Sequence, residues 1–235
     1  MKTWLCAIGG GEIGRPGKEI ETYHNDRRIL EKINKIKPKI LFIPTASNDS
    51  DSYCEVFKNY FEKKHGCDVN FLFLLKNKIL YPEIKSKIFS SDIIYIGGGD
   101  TVLLFEEFKK NNLKPLLIEA LKKGIMIWGF SAGAILLFEK GISEKEGLLK
   151  KIDGLNLING VFCPHSNKKN INDIVKVLSE GEIVILSEDS TAFLISSENE
   201  IEKLEETEKN KINIMMKKDQ TLIEVGTNIL KFKKS

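Results

Sequence analysis

The sequence has no long apolar run, and its hydrophobic stretches are about as long as one β-strand. A membrane-spanning helix needs about 20 mostly apolar residues, so we expect no membrane span and no membrane partner. The first residues carry one lysine and a short apolar run that ends at Gly9, which is too little for a secretory signal. We therefore interpret residues 3–8 as a first strand.

The sequence also has few cysteines, few histidines and little net charge. The four cysteines form no C-x-x-C pair, which predicts reduced thiols and a cytoplasmic protein. The three histidines have no metal-ligand spacing, so we expect neither a metal nor a cofactor. Basic and acidic residues, 36 and 33 of them, are interspersed and leave a formal net charge of +3. A charge that small and mixed does not favour nucleic acid as a partner.

What the sequence does contain is an alternation of strand-like and helix-like segments. Predicted strands lie at 3–8, 39–43, 69–74, 92–96 and 183–186, with two more that end at Ser131 and His165. Predicted helices lie at 19–36, 52–64, 102–110 and 115–123, and 79–90 is a helix or a short connector. This alternation predicts one α/β domain, residues 1–235, with a mostly parallel sheet and helices on both faces.

The tail from residue 193 onward has a different pattern. Short β-type segments at 193–195, 212–216, 221–225 and 229–232 predict a β-rich extension of antiparallel strands packed on the main domain. Two charged stretches, 140–153 and 198–211, are interpreted as a loop and a solvated run.

Two triple-glycine loops follow predicted strands. The first, Gly9 to Gly14, formally matches the G-x-G-x-x-G dinucleotide pattern, but Pro16 follows at once and would break the helix that the pattern requires. We interpret it as a flexible turn, with Glu12 as a solvated loop carboxylate or, alternatively, facing a substrate cleft. The second, Gly97 to Gly99, fits a phosphate cradle or half of an oxyanion hole; it lacks the lysine of a Walker A site.

The stretch from Gly129 to Gly133 has the pattern of a nucleophile elbow. An apolar strand leads into Gly-Phe-Ser-Ala-Gly, and a helix-like run follows. Such a turn exposes the hydroxyl of Ser131 at the end of a strand and places the N–H of Ala132 at a helix start, where it favours an oxyanion. The alternative is that Ser131 is an ordinary helix cap.

Two other strand ends carry groups that complement a serine. His165 follows an apolar strand and Pro164, at the sheet edge where Ser131 is expected. Glu188 and Asp189 follow the next strand. They are either turn residues or the acid that orients the imidazole.

These motifs together resemble the peptidase E (aspartyl dipeptidase) family of serine peptidases, and more distantly cyanophycinase. The matching stretches run from Ile94 to Thr101, Gly129 to Ala134 and Cys163 to His165, with Leu41 to Ser47 upstream. The resemblance implies a three-layer fold like that of class I glutamine amidotransferases, also described as flavodoxin-like. Those amidotransferases carry cysteine at the elbow, so the serine argues against glutaminase chemistry.

Carried over by position, the resemblance makes Ser131 the nucleophile and His165 the general base. It makes the N–H groups of Gly99 and Ala132 the oxyanion donors. The acid is Asp189, with Glu188 as the alternative. Gly98 and Asp100 are expected near the substrate; Asp100 stands where the best-known members have asparagine, which puts aspartyl specificity in question.

The resulting prediction is a serine-type peptidase for small peptides, dipeptidase-like, with N-terminal aspartyl peptides as one substrate class. The alternative is a non-hydrolytic protein that binds a small molecule or nucleotide through its glycine loops. The expected partner is a small peptide, and a homodimer stays open as an assembly state.

Overall fold

The computed structural model describes residues 2–76, 79–205 and 210–233, which form two β-sheets and the helices that flank them. The strands are β1 Trp4–Ile8, β2 Lys39–Ile43, β3 Asp68–Phe71, β4 Ile93–Ile96, β5 Met126–Phe130, β6 Phe138–Lys145, β7 Leu148–Asp153, β8 Ile158–Pro164, β9 Ile183–Ser187, β10 Thr191–Ser196, β11 Ile201–Glu205, β12 Ile212–Lys218 and β13 Thr221–Glu224. The helices are α1 Tyr23–Glu31, α2 Asp51–His65, α3 Tyr81–Phe89, α4 Thr101–Lys110, α5 Leu113–Lys122, α6 Ala132–Leu137 and α7 Ile171–Val177, with short 3₁₀ turns at Thr45–Ser47, Ser166–Lys168 and Thr227–Ile229.

The first sheet has the strand order β11-β10-β1-β5-β4-β2-β3. The strands from β1 to β3 in this order pair in parallel, while β10 pairs antiparallel with β1 and β11 antiparallel with β10. In β2, Ile40 and Phe42 face one core with α1 and α2, and Leu41 and Ile43 face another with α3 to α6. A strand buried on both faces is apolar throughout, and this confirms the predicted three-layer α/β fold.

The helix boundaries follow local capping chemistry. In α2, the Ser50 hydroxyl accepts the N–H of Tyr53, and Gly66 ends the helix in the left-handed conformation at φ +69°. The first helix is shorter than predicted and begins only at Tyr23, because residues 12–22 form a loop that is folded around Glu12. None of the helices in the described ranges is long and apolar enough to cross a bilayer.

The second sheet, in the order β13-β12-β9-β8-β6-β7, was not foreseen from the sequence. The prediction of a loop at 140–153 is wrong, because these residues form most of the β6–β7 hairpin. Ile142 is fully buried in one cluster with Ile174 of α7. Lysines and glutamates occupy six other strand positions and so conceal the period-two pattern: Glu139, Lys140, Glu144, Lys145, Lys150 and Lys151.

The tail joins both sheets. Strands β10 and β11 extend the first sheet and β12 and β13 the second, all antiparallel to their neighbours as predicted. The interpretation of 198–211 as a solvated run is wrong for β11, where Leu204 is fully buried; residues 206–209 of that run lie outside the described residues. The predicted strand at 229–232 is also wrong, since only Phe232 forms an isolated bridge, with Ile158.

Candidate active site

Ser131 lies in a strained turn between β5 and α6. Its backbone has φ +50° and ψ −106°, which is costly for any residue other than glycine. A Cβ on Gly129 would lie 2.3 Å from the carbonyl oxygen of Gly133, and a Cβ on Gly133 would lie 2.1 Å from that of Ile96. Only glycine fits on either side of the serine. Ser131 occupies the N-cap position of α6, but its side chain makes no capping hydrogen bond, so it is not an ordinary helix cap.

His165 follows β8 and reaches the serine. Its Nε2 lies 2.8 Å from the Oγ of Ser131. The backbone of His165 is left-handed, at φ +52°, and its N–H donates to the carbonyl oxygen of Gly9 at 3.0 Å. The ammonium of Lys169, whose side chain is only 4% exposed, donates to the carbonyl oxygens of Pro164 at 2.7 Å and His165 at 3.4 Å. These contacts fix the backbone from which the imidazole extends.

Asp189 lies on the other side of the imidazole. Its Oδ1 is 2.5 Å from Nδ1 of His165, and its Oδ2 is 2.5 Å from Nζ of Lys168. Burial alone would raise the pKa of the Asp189 carboxyl, but the hydrogen bonds from His165 and Lys168 outweigh it and hold the pKa below its usual value. Glu188 does not reach the site, because its Oε2 accepts the backbone N–H of Lys211 at 3.1 Å.

The first glycine loop, residues 9–11, is packed against this group and is not the flexible turn expected from the sequence. A Cβ on Gly10, at φ +150°, would lie 2.1 Å from Asp189 Oδ1 and 2.3 Å from Nδ1 of His165. The carbonyl oxygen of Gly10 accepts the N–H of Ser190 at 2.9 Å. Sequence reasoning missed this role; the available signal was three glycines directly after a buried strand.

The second glycine loop, residues 97–99, lies beside the serine. A Cβ on Gly98 would lie 3.2 Å from the Cβ of Ser131. Gly99 has φ +138°, and a Cβ there would lie 2.1 Å from the carbonyl oxygen of Ala46. Gly99 therefore needs glycine, whereas a Cβ on Gly98 would require its neighbours to shift by a few tenths of an ångström. The loop backbone passes directly by Ser131.

The remaining two predicted residues lie at helix starts. Ala132 is the first residue of α6, so its N–H is one of the donors that the helix itself leaves unused. The Oδ1 of Asp100 accepts the N–H groups of Val102 at 2.9 Å and Leu103 at 3.0 Å, which makes its side chain the cap of α4.

These groups open into a cavity of about 820 Å³, a size typical of small-ligand sites. The cavity is lined by the loop of residues 11–21, by the start of α2 and by five of the predicted site residues: Gly98, Gly99, Ser131, His165 and Asp189. Among residues 2–76, 79–205 and 210–233, no group of three His, Cys, Asp or Glu side chains is placed to hold a metal ion.

The solvated interpretation of Glu12 is wrong, because Glu12 lines this cavity and is only 7% exposed. Its Oε1 accepts the N–H groups of residues 13 to 15 at 2.9–3.1 Å, and its Oε2 accepts Nε of Arg15 at 2.7 Å. Burial alone would raise the pKa of this carboxyl, but the contacts with Arg15 and Gly14 lower it. The loop is thus folded around the Glu12 carboxylate, which its N–H groups and Arg15 stabilise.

Three cations line the cavity that the sequence did not single out: Arg15, Lys18 and Lys168. Arg15 is ion-paired with Glu12 at 2.6 Å. Lys168 is ion-paired with Asp189. It lies three residues after His165, a closeness in sequence that the sequence analysis did not use.

Comparison with known proteins identifies the family of this chain. The model of Peptidase family S51 matches residues 5–204. The uncharacterized peptidase YgaJ of Bacillus subtilis is 35% identical over 161 residues, which are 68% of this chain and 67% of that protein. The uncharacterized peptidase Lmo0363 of Listeria monocytogenes is 30% identical over 151 residues, 60% of this chain and 72% of that protein.

Two solved structures share the fold. A peptidase from an acI-B1 Actinobacterium superposes with a TM-score of 0.68 at 22% identity, covering 95% of this chain and 93% of that one. A Listeria monocytogenes protein assigned to peptidase E superposes with a TM-score of 0.62 at 20% identity, covering 87% and 99%. Since the family match spans most of the chain, the protein belongs to peptidase family S51 and is a peptidase, and so a hydrolase.

Proposed function

We propose that the protein is a serine peptidase for small peptides, with dipeptides as its main substrates. Ser131 is the nucleophile, His165 the general base and Asp189 the orienting acid. The observation that carries the proposal is the continuous chain of contacts from the Ser131 hydroxyl through the imidazole to a buried carboxylate, at 2.8 Å and 2.5 Å. This is the arrangement that activates a serine in hydrolases of unrelated folds.

The steps follow from the positions of the side chains. The Oγ of Ser131 attacks the substrate carbonyl carbon while Nε2 of His165 takes its proton, and the imidazolium then gives that proton to the leaving amine. Asp189 accepts the Nδ1–H, which holds the required tautomer and stabilises the imidazolium. Water then attacks the acyl-enzyme with the same imidazole as base, which releases the acid product and restores Ser131.

The oxyanion of each tetrahedral intermediate is stabilised by the N–H groups of Gly99 and Ala132. One such donor is typically worth about 3–4 kcal/mol of transition-state stabilisation. Gly98 lines the cavity and offers its backbone to the substrate. Asp100 contributes indirectly, because its backbone N–H donates to Ala46 at 2.7 Å and its side chain caps α4, and both contacts hold the second glycine loop.

The test is the Ser131→Ala variant. We expect it to lose turnover on a panel of dipeptides with and without N-terminal aspartate, and to lose labelling by a fluorophosphonate probe, with an unchanged melting temperature. Ser86→Ala, on the exposed face of α3, is the matched control and keeps both signals. Labelling that persists in Ser131→Ala refutes the proposal. Nucleotide binding by a wild-type protein that is never labelled would favour the non-hydrolytic alternative.

The place of action that we propose is the cytoplasm. All four cysteines are buried and free, and burial raises the pKa of the Cys67 and Cys163 thiols to about 12, so they are poorly reactive. Such thiols suit a reducing compartment. Fractionation of cells that make the protein, followed by immunoblotting, tests this placement.

A further inference from the structure

Lys168 is a cation at the active site to which the catalytic steps above give no role. It ends the 3₁₀ turn Ser166–Lys168, directly after the general base, and its side chain is 66% exposed at the cavity. Its Nζ forms an ion pair with Oδ2 of Asp189, while Nδ1 of His165 hydrogen-bonds to Oδ1. One carboxylate is therefore shared between a permanent cation and a group that becomes a cation during the reaction.

The charge balance of this trio changes when the serine attacks. In the resting site, the ammonium of Lys168 and the carboxylate of Asp189 compensate each other. Once His165 takes the proton from Ser131, two positive charges face a single carboxylate, and charge interactions are strong in a site partly shielded from water. The negative charge that forms at the same time lies on the oxyanion, on the opposite side of the serine beside Gly99. A further anion near Lys168 would restore the balance.

A dipeptide supplies an anion on that side. His165 must protonate the leaving amine, so the leaving amino acid lies on the imidazole side of Ser131. In a dipeptide, a single Cα separates that amine nitrogen from a free carboxylate. The exposed four-carbon stem of Lys168 is flexible enough for its ammonium to turn from Asp189 toward such a carboxylate without movement of the backbone.

The other cations that line the cavity are placed differently. Arg15 is held by two contacts to Glu12, in the loop that forms a wall of the cavity. Lys18 lies further along that same loop, beside Glu19. Of the lining cations in the described part of the chain, Lys168 is the one in contact with the proposed triad.

We propose that Lys168 binds the free carboxylate of the leaving amino acid. The favoured substrates are then peptides that end one residue after the scissile bond, dipeptides included. The inference rests on the proposed serine peptidase function and adds a specificity-determining residue to it.

The experiment changes the substrate's C-terminal carboxylate and Lys168, separately and together. Asp-Leu and Ala-Leu are compared with their C-terminal amides, which keep the scissile bond but lose the anion, in wild type, Lys168→Met and Lys168→Arg. We expect the wild type to favour the acid over the amide by about 10- to 100-fold in kcat/KM, as for a hydrogen bond to a charged group. Lys168→Met loses that preference by slower hydrolysis of the acid alone, and Lys168→Arg keeps part of it.

Two controls separate this role from other causes. Lys176→Met removes another exposed lysine, on α7, and leaves the preference unchanged. Fluorophosphonate labelling of Ser131 involves no leaving carboxylate, so in Lys168→Met its rate falls much less than the hydrolysis of the acid substrates does. Melting temperatures confirm that each variant is folded.

Either of two results overturns the inference. One is a wild type that hydrolyses acid and amide equally well. The other is an equal loss on both substrates in Lys168→Met together with slow labelling, which would mean that Lys168 only holds Asp189 in place. Failure of the proposed function is separately visible, as an active Ser131→Ala or an unlabelled wild type.

Discussion

Adding one methyl group at Gly10 is expected to disable the site without unfolding the protein. The Cβ of Gly10→Ala would lie 2.1 Å from Oδ1 of Asp189 and 2.3 Å from both Cε1 and Nδ1 of His165. Ordinary contact begins near 3.4 Å, so the imidazole and the carboxylate would each have to withdraw by about 1 Å. The backbone, at φ +150°, also resists an alanine.

The expected loss of kcat follows from the displacement of the imidazole and the carboxylate. A misplacement of about 1 Å in a reacting group costs roughly 100-fold in rate, and loss of the acid's control over the imidazole costs about 10⁴-fold in serine proteases. We therefore expect kcat to fall by between about 100- and 10,000-fold. The backbone strain adds a loss of stability of about 1–3 kcal/mol.

The assay measures kcat on the best-cleaved dipeptide together with the fluorophosphonate labelling rate and the melting temperature. Gly181→Ala is the matched control, because Gly181 also has a positive φ, +74°, but an added Cβ there meets no atom within 4 Å in the described structure. It carries a similar backbone cost and keeps its kcat. A folded Gly10→Ala with wild-type kcat would refute the reasoning, since the clash would then be absorbed elsewhere.

Two further predictions test the acid and the second sheet. Asp189→Asn should lower kcat by about 10⁴-fold while Glu188→Gln stays within a few-fold of wild type, and the reverse ranking in steady-state assays would move the acid to Glu188. Glu182 is the second test: burial alone would raise its pKa, but its contacts with Lys151, with the backbone and with Lys140 lower the pKa from 4.5 to about 2. A lowered pKa means that this stabilisation is present above pH 4.5 and is lost as the pH falls toward 2. Glu182→Gln should lower the free energy of unfolding by up to roughly 3 kcal/mol at neutral pH, and this stability should then fall less steeply between pH 4.5 and 2. A variant whose stability falls with pH as steeply as that of the wild type contradicts the role given to Glu182.

The parts of the site that the sequence could predict are those with a local signal. Ser131 stands in Gly-Phe-Ser-Ala-Gly between an apolar strand and a helix-like run, a pattern typical of a nucleophile elbow, and His165 follows an apolar strand with a proline before it. The structure brings these two side chains together with Asp189, as expected. The expectation of one shared sheet edge is wrong, because Ser131 follows β5 of the first sheet while His165 and Asp189 follow β8 and β9 of the second. Local patterns also located most of the strands, because a strand buried on both faces is apolar throughout.

What the sequence could not show depends on contacts between distant segments. Glu12 looks like a loop carboxylate until the loop folds back and surrounds it with N–H groups. Lys168 is one of many lysines, and only the pairing of β8 with β9 brings it to Asp189. The β6–β7 hairpin was missed for a different reason: the charged residues of its exposed face conceal the alternation that marks a strand.

The backbone at the end of β1 explains why the site assembles at this point of the fold. Three consecutive carbonyl oxygens each accept one N–H from a different part of the site: Ile8 from Ser131, Gly9 from His165, and Gly10 from the acid loop at residues 188–190. The three loops are thereby held in register by a single short segment. The absence of side chains at its glycines leaves the space that the imidazole and the carboxylate fill. A glycine loop that resembles a dinucleotide fingerprint in sequence thus acts as the scaffold of the candidate active site, and a shift of β1 would displace Ser131, His165 and Asp189 together.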